Sequence, residues 1–105
     1  MTEAAAVQKE TPVRPIATPD SRPHLPHYVR LQFDRLRQRH VVLSPERVFW
    51  PDEVTVDILK LCDGQRSIAE IASQLATEYA APVETIQADI LEFIQSWTDR
   101  RLLRL

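Results

Sequence analysis

Along the chain, hydrophobic positions follow two different rhythms. From Tyr28 to Trp50 they recur every second residue. Val29, Leu31 and Phe33 alternate with Tyr28, Arg30 and Gln32, the signature of a half-buried strand. Asp34–Arg37 can turn the chain. Arg39–Leu43 reads as a second strand because it is rich in β-branched residues. Ser44-Pro45-Glu46 is a turn, since proline fixes φ and serine can bond the local backbone. Arg47–Trp50 makes a short third strand, which Pro51 ends because it has no amide to give a ladder. Three strands so close together predict an antiparallel meander.

After Pro51 the rhythm becomes helical. Asp52 can cap a helix reaching to about Cys62, with Val56, Ile58, Leu59 and Leu61 apolar. Asp63-Gly64 stops it, and the only glycine of the chain is expected in the left-handed region at C′. Ser67-Ile68-Ala69-Glu70 matches a capping box. It opens a second helix whose face is Ile68, Ile71, Ala72 and Leu75, fading near Tyr79–Ala81. Pro82 suits the first turn of a third helix. There Val83, Ile86, Ile90, Ile94 and Trp97 form one stripe, widened by Leu91 and Phe93. The expected fold is α+β: a winged helix-turn-helix, a three-stranded antiparallel sheet followed by three helices.

The N-terminal stretch has neither rhythm. Residues 1–24 hold four prolines and no aromatic residue, and their apolar residues are mostly alanine. Such a stretch buries too little apolar surface to offset its ordering entropy. Residues 1–24 are therefore expected to be a disordered tail or interdomain linker, and 25–105 the folded domain.

Composition narrows the chemistry. A lone cysteine, Cys62, argues against a disulfide scaffold or a zinc site. It reads as a small buried hydrophobe. His24, His27 and His40 lack the spacing that puts two metal ligands on one helix face. One glycine in 105 residues leaves no phosphate-cradling loop. No apolar run is long enough to span a membrane, and no signal peptide is visible, so a cytoplasmic location is expected. The chain is expected to have no cofactor and no catalytic residue.

Charge decides between two uses of a winged helix. Residues 1–51 carry eight Lys or Arg and five Asp or Glu. Residues 52–99 carry two against ten, and Arg100, Arg101 and Arg104 follow. A DNA-reading third helix needs cations for the phosphates. This one offers Glu84, Asp89, Glu92 and Asp99 instead. A winged-helix DNA-binding regulator remains the alternative, through Arg35, Arg37 and Arg39 of the hairpin. The leading expectation is a peptide added as a fourth strand. Its edge would be Arg47–Trp50, its wall the Val83–Trp97 helix, and its aromatic anchors Trp50 and Trp97. Ile90 and Ile94 read equally well as core.

Several segments together resemble the PqqD family of pyrroloquinoline quinone (PQQ) biosynthesis. Val42-Leu43-Ser44-Pro45-Glu46-Arg47-Val48 is similar to its "LLxPERV" segment, and Ile58–Gly64 to its "ILxLxDG" segment. Ser67–Leu75 and Ala88–Ile94 resemble its second and third helices. The likeness runs from about Leu25 to the C-terminus. It implies a peptide chaperone, a recognition element of pathways for ribosomally made, modified peptides. Such a domain binds the precursor peptide PqqA and presents it to the radical S-adenosylmethionine enzyme PqqE. It implies a peptide site in the groove between third strand and third helix. Carried over, this is Arg47, Val48, Phe49 and Trp50 with Ile86, Asp89, Ile90, Phe93 and Ile94, to which the aromatic argument adds Trp97. Some members are fused behind the oxidase PqqC, which residues 1–24 would suit as a linker. The domain is expected to be a monomer that binds neither nucleic acid nor membrane.

Overall fold

The period-2 region folds as the alternation demands. In the computed structural model, which describes residues 14–105, it forms β1 (Arg30–Asp34), β2 (Arg39–Leu43) and β3 (Val48–Phe49), antiparallel and ordered β1-β2-β3. The register sets Leu31 opposite Val42, and Val42 opposite Phe49. Residues directly opposite share a face; Val42 is in the main core, and Leu31 and Phe49 pack against it half-buried. Strand β1 starts two residues later than the alternation predicts. The amide of Val29 donates to Pro26 O in a turn, and the Tyr28 hydroxyl reaches Arg101 O at 3.2 Å. Strand β3 is shorter than expected because Ser44 claims its start. The Ser44 amide donates to Arg47 O at 3.0 Å, and the Arg47 amide donates to Ser44 Oγ at 3.2 Å.

The helical region gives α1 (Glu53–Leu61), α2 (Ile68–Tyr79) and α3 (Val83–Asp99). Asp52 caps α1 by accepting from the Thr55 amide at 2.8 Å. Gly64 is left-handed as expected (φ 78°), but it stands one residue further on, at C″. Asp63 takes the C′ place, and its carboxylate accepts from the Gln65 and Arg66 amides. Pro82 is the N-cap of α3, just before the first turn. Together these elements make the expected winged helix-turn-helix. Its core is formed by Val42, Leu59, Ile68, Ile71, Leu75, Ile90, Ile94 and Leu103.

The boundary expected at residue 25 does not hold for residues 14–24. Residues 1–13 lie outside the described part. Pro23 is fully buried. His24 pairs with Arg104 through both amides, at 2.8 and 2.9 Å, and Pro23 O accepts from the Gly64 amide. Further back, the Ala17 amide donates to Gln95 Oε1, and Arg14 forms a bidentate pair with Asp99. The guanidinium holds the Asp99 carboxyl below the usual carboxylate range. Much of this binding is by backbone groups and by one ion pair, so hydropathy does not reveal it.

The same segment completes a helix start. The first amides of a helix have no partner within it. In α2 each one is met. Ser67 N donates to Glu70 Oε1, and Glu70 N donates to Ser67 Oγ, which is the predicted capping box. Ile68 N donates to Ser21 O and Ala69 N to Pro19 O. The Ser67→Ala variant should therefore lose about 1 kcal/mol, within a range of roughly 0.5–2 kcal/mol for a lost cap. The shift in urea midpoint measures it, and an unchanged midpoint would show that the 19–21 segment alone holds the helix start.

Candidate functional site

Strand β3 is an edge of the sheet. In an antiparallel ladder, residues alternate between bonding the neighbour and facing away. The Ser44–Arg47 amide bond makes that pair a bonded one. Phe49, opposite Val42, is then bonded too, and the amide and carbonyl of Val48 face the open side. An added strand would meet those two groups first.

The floor and far wall come from α3. Trp97 is only 8% exposed. Its ring lies 5.8 Å from that of Phe49 and 5.0 Å from that of Phe93. Phe49 and Phe93 are half-buried, so each keeps an outer surface. Helical spacing puts Ile86, Asp89, Phe93 and Arg100 along one side of α3. The opposite side, at Gln95 and Asp99, is where residues 14–17 lie. Among the described residues, the N-terminal segment leaves the β3 side of α3 uncovered.

Between the start of β3 and the end of α3 opens a cleft of about 660 Å³. Arg47 and Phe49 line one wall, Arg100, Arg101 and Leu102 the other, with Tyr28 and the Ser44–Glu46 turn at the end. Arg100 lays its guanidinium over the Phe49 ring at 5.1 Å.

The predicted site residues therefore divide. Phe49 and Phe93 meet at the groove through Trp97, and Arg47 lines the cleft at its end. Val48 offers the groove its backbone edge, its exposed side chain lying by alternation on the other face. Ile86 is half-buried and Asp89 exposed on the same side of α3. Ile90 and Ile94, at 2% and 0% exposure, lie in the core beneath that surface. Trp97 is the floor beneath the two phenylalanines. Trp50 points away from α3. Period 2 puts it on the opposite face from Phe49. There its ring lies 5.4 Å from the Arg37 guanidinium and 5.2 Å from that of Arg39. Arg39 also donates to Trp50 O. Val41, on the same face by alternation, is buried although it lies outside the main core.

Sequence reasoning missed Tyr28, Arg100 and Arg101. The charge reversal after residue 99 was the available signal, but only the fold brings those arginines against β3.

Other reactive groups have structural roles. Burial pushes the Cys62 thiol up to about 12, so it is not a thiolate nucleophile at neutral pH. Its Sγ–H faces Ile58 O. A hydrogen bond to Asp57 raises the Tyr79 phenol to about 12 as well. Among the described residues, no three His, Cys, Asp or Glu are grouped to hold a metal ion, and no helix is long and apolar enough to cross a membrane.

Known proteins are similar to this chain in sequence and fold. A family model described as coenzyme PQQ synthesis protein D (PqqD) matches residues 39–103. A "PqqA binding protein" of Bradyrhizobium diazoefficiens is 45% identical over 83 residues, 79% of this chain and 81% of the relative. One of Xanthomonas oryzae pv. oryzae is 46% identical over 88 residues, 84% of this chain and 96% of the relative. Among solved structures, the solution NMR structure of the PqqD truncation of Methylobacterium extorquens PqqCD is similar, with a TM-score of 0.72 and 39% identity. It is described as a functional, stand-alone recognition element for ribosomally synthesised, post-translationally modified peptides, and the match covers 88% of this chain and 97% of that one. The crystal structure of PqqD from Xanthomonas campestris matches with a TM-score of 0.54 and 41% identity, over 84% of this chain and 98% of that one.

Proposed function

The chain belongs to the PqqD family, and on that footing we propose that it binds the precursor peptide PqqA as a strand added to β3. It presents that peptide to the radical S-adenosylmethionine enzyme PqqE and catalyses nothing itself. The observation that carries the reading is the open edge at Val48, beside the uncovered Phe93 side of α3. Main-chain bonds at such an edge supply affinity, and alternate side chains enter the groove to supply specificity. Arg47, Val48, Phe49, Ile86, Asp89 and Phe93 are the proposed contacts. Ile90, Ile94 and Trp97 support them from beneath. The relatives named as PqqA binding proteins support the choice of peptide. Because the proposed contacts use one side of the domain, the hairpin face that carries Trp50 stays available to a second protein such as PqqE. If the domain is joined to PqqC, as in the PqqCD neighbour, the junction would approach along Gln95 and Asp99, away from the groove.

The test is a titration of the isotope-labelled chain with PqqA, followed by backbone amide shifts. Shifts should concentrate at 47–49 and along 86–100. Shifts confined to the Arg35–Arg39 hairpin, or a stronger response to duplex DNA, would replace this reading by the DNA-binding one.

A further inference from the structure

The cleft at the end of the groove carries a charge pattern that peptide addition alone does not require. Arg47 stands just before β3, Arg100 and Arg101 come from the turn after α3, and all three line the same space. Arg104 stands close by, its guanidinium 5.9 Å from the ring of Tyr28, which also lines the cleft. The one carboxylate among the lining residues is Glu46. Among the described residues, none of Arg47, Arg100 and Arg101 forms a salt bridge.

Arg100 and Arg101 would also suit the negative end of the α3 dipole. Arg47 has no such explanation, because it stands on the opposite wall, just before the strand. Stacking fixes Arg100 as well. A guanidinium lying over an aromatic ring keeps its in-plane N–H groups for other partners. Placed over Phe49, it can present them to a carboxylate with little further loss of side-chain freedom.

We propose that this cleft is a carboxylate subsite, so that the strand added at β3 is read by an acidic side chain lodged between Arg47 and Arg100. The proposal rests on the peptide-binding reading above and adds the chemistry by which the ligand is set in register. Register along an edge strand is weakly fixed by backbone bonds, since sliding by two residues restores them. A charge-assisted bond at one end removes that freedom. The acidic stretch of α3 would disfavour the same side chain at the far end, near Asp89. The groove thus has a basic end and an acidic end, and the peptide gains one preferred register and direction.

The test compares PqqA with a version in which every Asp and Glu is replaced by Asn or Gln. Binding of both to the full chain is measured by fluorescence anisotropy, with amide shifts to locate them. The amide version should bind at least about tenfold more weakly, the usual size for a lost charge-assisted pair. Arg47→Gln should weaken native PqqA similarly yet hardly change binding of the amide version. Arg100→Lys, which keeps charge but loses the planar fork, should fall between. Equal affinity of the two peptides at β3 would overturn the carboxylate subsite and leave strand addition standing. An Arg47→Gln loss that is the same for both peptides would also overturn it. If neither peptide shifts residues 47–49, both proposals fail.

Discussion

Trp97→Ala is expected to destabilise the domain by about 3–5 kcal/mol, the usual loss when a large aromatic core residue is truncated. The indole is almost wholly buried and contacts both aromatic rings of the groove, Phe49 and Phe93. Removing it leaves a cavity that the short β3 cannot easily collapse into, because Ser44 pins Arg47 at its start. In a domain this small each kcal/mol shifts the melting temperature by roughly 4–8 °C. Urea unfolding of the variant should show this directly. Peptide affinity, measured where the variant is still folded, should fall as well, since Phe49 and Phe93 lose their shared support. A variant with normal stability and reduced affinity would mean that the ring belongs to the groove surface and not to its floor.

Val48→Pro is expected to separate binding from folding in the opposite sense. Proline lacks an amide, and it is tolerated in a strand where that amide faces outward on an edge. Val48 meets that condition, and its side chain is 54% exposed, so little packing is lost. Stability should change by less than about 1 kcal/mol, in line with an exposed position. An added strand would lose one donor and leave its own acceptor unpaired. Those two effects amount to roughly 1–3 kcal/mol, or about ten- to a hundredfold in affinity. Val48→Thr retains the amide and should bind normally. Undiminished PqqA binding by the proline variant would rule out strand addition at β3.

Most of the fold was legible because its elements bury side chains on one face. The alternation of Leu31, Val42 and Phe49 and the stripe from Val83 to Trp97 are direct imprints of the core. The capping box at Ser67 and the left-handed Gly64 are equally local, since each depends on backbone needs a few residues away. The N-terminal segment was illegible for the opposite reason. Its attachments run from carbonyls of Pro19, Ser21 and Pro23 to distant amides, and any residue type has a carbonyl. Within the site, sequence period put Phe49 on the third strand and Phe93 beside the third-helix stripe, and the family resemblance placed both in the groove. It could not tell that Trp50 would turn its ring toward Arg37 and Arg39. Nor could it bring Arg100 across to Phe49, because that contact joins two elements from separate halves of the chain.

The pairing of His24 with Arg104 has a kinetic side. It closes a loop that contains nearly the whole described chain. Such a closure loses much chain entropy before any contact repays it, whereas the β1–β2 hairpin and the α2–α3 pair form from near neighbours in sequence. The clasp therefore belongs to the late steps of folding. By the same reasoning it is among the first parts of the native structure to open transiently. Residues 14–17 lie on the side of α3 away from β3, so their release leaves the groove walls in place, whereas opening of the clasp itself loosens Arg104 beside the cleft.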